Sequence, residues 1–261
     1  MWRVRALLIS APLIILFTTV MASLSLLSGL FNRGGRRQHT YARIWSKWLL
    51  KLAFVKLKTF GIDKLRVDGS YVLVSNHTSY LDIPVILSSV PVQIRFFAKK
   101  GLFSVPFLGW HLRHAGHLEV VRDDARASLR SMTEGARLIR ERGISVVLFP
   151  EGGRTPVSGI RPFKEGAAHI AIKSGVPVVP VGLINVRNAL PMGSILLRPV
   201  TVEIHIGDPI ETTDLKPSDR GSLNETLQAK VIELVGDPLI HTTSTASVKN
   251  AQTNPTAPVN P

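Results

Sequence analysis

The stretch Tyr71-Val-Leu-Val-Ser-Asn-His-Thr-Ser-Tyr-Leu-Asp82, continued by Ile83-Pro-Val-Ile-Leu-Ser-Ser-Val90, decides the fold. Tyr71 to Ser75 is apolar and β-branched enough for a buried strand, and Ile83 to Val90 resumes an apolar helical pattern. His77 therefore falls at a strand-to-helix corner. His77 and Asp82 stand five positions apart, a poor same-face interval on a continuous helix, whose side chains meet at three or four. The helix is thus expected to begin inside the motif, with Asp82 in or near its first turn, where a carboxylate and the following Pro84 are both favoured. From there Asp82 reaches back to one imidazole nitrogen, fixes the tautomer and leaves the other nitrogen free to take a proton. The plainer reading, a capping histidine beside an N-terminal charge, fits the first motif taken alone.

A second polar run, Phe149-Pro-Glu-Gly-Gly-Arg-Thr155, changes that balance. It follows another apolar strand, Ile144 to Phe149, and lies where an open parallel sheet places its ligand loops. Two polar constellations at two strand ends point to one cleft. Glu151 reads either as a ligand contact or as the ion-pair partner of Arg154 or Lys164.

Further strands are expected at Ile94 to Ala98, His117 to Val121, Val178 to Leu183 and Val200 to Ile206, with helices at Asp124 to Arg142, Lys164 to Ser174 and Asp219 to Leu234. Such alternation with continuous apolar strands predicts an α/β fold, a mixed, mainly parallel sheet covered by helices.

In four blocks between Tyr71 and Val181 the chain resembles the 1-acyl-sn-glycerol-3-phosphate acyltransferase (lysophosphatidic acid acyltransferase) family. Asn76-His77 through Asp82 is similar to the catalytic block, which implies His77 as the base and Asp82 as its partner. Lys100, Phe103, Gly109 and Arg122 resemble the second block, whose basic residues contact the acceptor's phosphate. Phe149-Pro-Glu151-Gly152-Gly-Arg154 resembles the third, the glycerol-phosphate block, and Val178-Val-Pro180-Val181 the hydrophobic fourth. Gly153 and Thr155 depart from the pattern, standing where many members carry threonine and serine.

The resemblance implies catalytic roles for His77 and Asp82 and substrate contacts from Asn76, Lys100, Arg122, Glu151, Gly152 and Arg154. It implies transfer of a fatty acyl group from acyl-CoA or acyl carrier protein to the sn-2 hydroxyl of lysophosphatidic acid. The chemistry suits these residue types. An alcohol has a pKa far above 7, so a neutral imidazole must take its proton as the oxygen attacks the thioester. With no cysteine and no Gly-x-Ser-x-Gly elbow, nothing signals a covalent acyl-enzyme. No cofactor is expected. Acylation of another lysolipid, such as a lyso-aminolipid, and a non-catalytic lipid-binding protein of the membrane surface remain alternatives.

No charge interrupts Ala6 to Asn32, and a bilayer core takes about 20 apolar residues. The chain is therefore divided into a membrane anchor at 1–32, a basic amphipathic interfacial segment at 33–62, a catalytic domain at 63–238 and a Thr/Ser/Asn/Pro-rich disordered tail at 239–261. Arg33, Arg36, Arg37, Arg43, Lys47 and Lys51 follow the anchor, which by the positive-inside tendency puts the catalytic domain on the cytoplasmic side; the membrane expected is a bacterial inner membrane. Formal net charge is +14, from 32 basic and 18 acidic residues. Such a field suits anionic membrane lipids as partners, while no nucleic-acid motif accompanies it. His111, His114 and His117 recur with Glu119 nearby, but Gly116 and the strand-like run after it break the pattern, so no metal is expected.

Overall fold

Val72–Ser75 is buried at all four positions, as a strand covered on both faces must be. It is β2 of a seven-stranded sheet in the computed structural model, which describes residues 2–31, 34–120, 125–154 and 159–236. The others are β1 (Lys56–Phe60), β3 (Ile94–Lys99), β4 (Leu118–Val120), β5 (Ser145–Leu148), β6 (Val178–Ile184) and β7 (Thr201–Ile206), in the order β1-β7-β6-β2-β5-β3-β4. All neighbours run parallel except β6 and β7, which are antiparallel. The expected mixed, mainly parallel sheet is thus observed.

Alternation along the strands splits the core in two. Leu73, Val147 and Val179 face one side, with Leu49, Leu50, Val85 and Ile86 from the helices α3 (Arg36–Leu52) and α4 (Asp82–Ser89). Val72, Val74, Val146 and Leu148 face the other, under α6 (Ala125–Arg142), α7 (Gly166–Ser174) and α9 (Arg220–Val235).

The amino-terminal helix runs Trp2–Phe31, with a single π-helical turn at Ala6–Ser10 separating α1 (Trp2–Arg5) from α2 (Ala11–Phe31). It is long and apolar enough to cross a membrane, and it leaves Leu8, Ile15, Leu16, Leu30 and Phe31 exposed. It does not project from the domain. It folds back against α3, Phe17 packing on Trp48 and the Trp45 indole N–H donating to Thr18 Oγ1 at 3.0 Å.

One expectation for this region needs correction. The segment 33–62, expected to be basic, amphipathic and interfacial, is not a single element: α3 ends at Leu52, and Lys56–Phe60 is the edge strand β1, paired with β7 so that Lys58 faces Glu203 at 3.6 Å. The Lys-Leu-Lys-Thr-Phe alternation is the period of a strand, and lysines on an edge discourage further pairing. The helix α3 buries Leu49 and Leu50 in the core and leaves its outer side, with Ile44 and Trp48, open. The tail expected to be disordered lies outside the described residues.

Candidate active site

The helix α4 begins at Asp82, inside the motif, as the five-residue spacing required. Asp82 is fully buried, and its Oδ2 takes three donors: His77 Nδ1 at 2.7 Å and the backbone N–H groups of Thr78 and Ser79 at 2.7 and 2.9 Å. An ionised carboxylate only accepts, so Nδ1 carries the proton and Nε2 is left as the acceptor. The imidazole stacks on Phe149, centroids 4.0 Å apart at 16°. Clamped between carboxylate and ring, His77 keeps its side chain 11% exposed.

The second run meets the first through the backbone. Glu151 Oε1 accepts the His77 N–H at 2.7 Å and Oε2 accepts the Arg161 N–H at 3.0 Å. The Glu151 carboxylate therefore ties the two strand-end turns together. Gly152 has φ +77°, and a Cβ there would come 3.0 Å from Lys164 Nζ, so glycine both permits the turn and leaves room for that cation. Arg154 lays its guanidinium over the Tyr80 ring, 3.6 Å from the centroid. Its buried Nε finds no acceptor among the described residues. Phe149, Tyr80 and Lys164 were quoted in or beside the motifs without a role of this kind. The Phe149 and Tyr80 contacts join side chains more than 70 positions apart and leave no local trace.

The other expected residues divide. Lys100 is exposed just beyond β3 and reaches Glu119 at 3.9 Å. Gly109 in the second block is required by packing, since a Cβ would collide with the Phe103 carbonyl. Arg122 and Thr155 lie outside the described residues. Asn76, expected among the substrate contacts, instead bridges strands: its amide donates to the Leu183 carbonyl at 2.9 Å and its Oδ1 accepts the Leu183 N–H at 2.8 Å. It is 1% exposed, so the structure gives it a holding role beneath the site.

The three recurring histidines point to separate partners, His111 to Ser25 Oγ, His114 to the Trp110 carbonyl and His117 to the Phe96 N–H. Among the described residues no group of three or more His, Asp or Glu side chains is placed to hold a metal.

The fold and this corner define an α/β protein with a His–Asp pair and an arginine at neighbouring strand ends. The family model "Acyltransferase" matches residues 56–184 of this chain. A protein of Brassica napus named a chloroplastic 1-acyl-sn-glycerol-3-phosphate acyltransferase is 36% identical over 167 residues, 63% of this chain and 48% of that protein. A Limnanthes douglasii protein named 1-acyl-sn-glycerol-3-phosphate acyltransferase is 34% identical, over 69% of this chain and 63% of its own length. The chain thus spans about half to three-fifths of these curated relatives. The crystal structure of the 1-acyl-sn-glycerophosphate acyltransferase PlsC from Thermotoga maritima superposes with a TM-score of 0.70 at 26% identity, covering 90% of this chain and 98% of that one. The family resemblance carried by the four blocks is borne out.

Proposed function

We propose that this chain is a membrane-bound 1-acylglycerol-3-phosphate O-acyltransferase, moving an acyl group from an acyl thioester to the sn-2 hydroxyl of lysophosphatidic acid and releasing phosphatidic acid. The observation that carries it is the His77 Nδ1–Asp82 Oδ2 bond, which leaves Nε2 basic and reachable beside a cationic loop. The names of the relatives support the acceptor.

In this reading His77 Nε2 takes the proton of the sn-2 hydroxyl as its oxygen attacks the thioester carbonyl carbon. The imidazolium that forms is held by Asp82, whose Oδ2 is itself fixed by two backbone donors. Collapse of the tetrahedral adduct breaks the C–S bond, and the proton on Nε2 passes to the departing thiolate. Atoms and charge balance without an acyl-enzyme. Arg154, with an unused Nε and a flat guanidinium stacked on Tyr80, is suited to grip the acceptor phosphate, with Lys164 against Gly152 of the same turn.

The exposed apolar residues of α1 and α2, together with Trp48, form the membrane-facing surface. Because α2 lies along α3 and the domain, this surface suits embedding in one leaflet. The test is an assay of purified protein in mixed micelles with acyl-CoA and acyl carrier protein as donors and a panel of lysolipid acceptors. Phosphatidic acid from lysophosphatidic acid is the expected product, and selective acylation of a phosphate-free or aminolipid acceptor overturns the assignment.

A further inference from the structure

At the opposite end of the sheet from His77, three arginines surround one cavity of about 380 Å³, lined by Gly34, Arg36, Gln93, Arg95, Arg142, Gly143 and Ile144. Gln93 and Ile144 stand at the entrances of the parallel strands β3 and β5, whereas Phe149 and Glu151 leave β5 at its far end. The strand rise separates the two ends by about 16 Å.

Arg95 is 2% exposed, a charge taken almost wholly out of water. Among the described residues its guanidinium donates only to neutral acceptors, the Ile94 carbonyl at 2.8 Å, the Gly34 carbonyl at 3.2 Å and Gln93 Oε1 at 3.4 Å. Among the described residues no ion pair involves Arg36, Arg95 or Arg142. Glu134 and Glu141, on the same helix as Arg142, are both held by Arg137. Burial and the charges of Arg142 and Arg36 pull the Arg95 pKa down to about 10.

Arg36 adds a second anomaly. It begins α3, where the helix dipole disfavours a cation, and the first turn contains no acid. The N-cap is Gly35, which offers no side chain to the first N–H groups, and its φ of +69° lets the chain pass close to Arg95. A buried cation without a counter-charge is costly. Three guanidiniums and an uncapped helix start are complementary to one doubly accepting anion.

We propose that this cavity is an anion site for a phosphate-bearing group, separate from the catalytic corner. Arg95 is its floor, and Arg36 and Arg142 close over the ligand. Two sources share that chemistry: the headgroup of a membrane phospholipid, which the position at the turn after the apolar helix α2 favours, and a soluble phosphate.

The experiment titrates the purified full chain, carrying R154A to remove the acceptor-phosphate contact, with inorganic phosphate at constant ionic strength and follows thermal unfolding. Saturable stabilisation that chloride does not reproduce is expected, and R36A/R142A should weaken it about tenfold or more. Both substituted side chains are exposed, so this variant is expected to fold. Dihexanoyl phosphatidylglycerol, used below its micelle threshold, provides the second arm. Tighter binding than inorganic phosphate assigns the site to a headgroup, and weaker binding assigns it to a soluble anion. Absence of saturable stabilisation by either probe, or stabilisation that R36A/R142A leaves unchanged, overturns the proposal. Because turnover is not read, failure here is distinct from failure of the acyltransferase assignment.

Discussion

The backbone N–H of His77 donates to Glu151 Oε1 at 2.7 Å, so the carboxylate of one strand-end turn holds the main chain of the other. In the proposed mechanism Glu151 acts on the chemistry through this contact, as a positioning residue. Substitution E151Q keeps the volume but turns one oxygen into a donor facing the N–H of His77 or of Arg161. Loss of one charge-assisted buried bond costs about 1.5–3 kcal/mol. The expected outcome is a fall in kcat of roughly tenfold to a hundredfold with the KM for the thioester little changed. A KM effect with full kcat would instead make Glu151 a substrate contact.

Arg154 and Tyr80 should separate binding from chemistry. R154A is expected to raise the KM for lysophosphatidic acid by about tenfold or more, since it removes a charged hydrogen-bonding group. The same change should leave monoacylglycerol, which lacks the phosphate, unaffected. Y80A removes only the ring beneath the guanidinium and is expected to raise the same KM by roughly two- to fivefold, the value of an exposed cation–π contact. Steady-state kinetics with the two acceptors decide this.

Asn76 contributes to stability. Its amide makes two buried bonds to Leu183, and N76A leaves both backbone groups without a side-chain partner. A loss of about 1–3 kcal/mol of folding stability is expected, read as a lower denaturant midpoint at unchanged slope.

Acid should destabilise the fold through two neutral histidines outside the active corner. His39 Nε2 accepts the Ile94 N–H and His117 Nδ1 the Phe96 N–H. Burial first, then the charge of Arg95, lowers both pKa values to about 3. With folded values below the unfolded value of 6.5, the unfolded chain binds protons first, so stability is full above pH 6.5 and declines from there towards pH 3. Each group contributes a slope of at most about 1.4 kcal/mol per pH unit. The double variant H39Q/H117N keeps acceptors near both N–H groups without titrating there, and its unfolding midpoint should depend less steeply on pH across that window.

What the sequence reveals is local. The strand before His77, the helix start at Asp82 and the turn at Pro150 to Gly153 follow from neighbouring residues, and all appear in the structure. What it hides depends on distant partners. Nothing near Asn76 announces that its amide belongs to Leu183, 107 positions away, and nothing near Glu151 announces that its oxygens serve the backbone of His77 and Arg161. The strand at Lys56 to Phe60 was missed because its lysines resemble the polar face of the preceding helix; only β7 beside it makes the strand period decisive. Arg95 passed as one more apolar-strand residue, since burial of a lone charge shows only when its neighbours are placed.

The most direct test of the central claim is the rate of phosphatidic acid formation by H77A against the unsubstituted chain, with circular dichroism showing both folded. Removal of a positioned general base should lower kcat by roughly a hundredfold to ten-thousandfold, with the KM for lysophosphatidic acid nearly unchanged. A folded H77A protein that retains most of its turnover would contradict the assignment of the base.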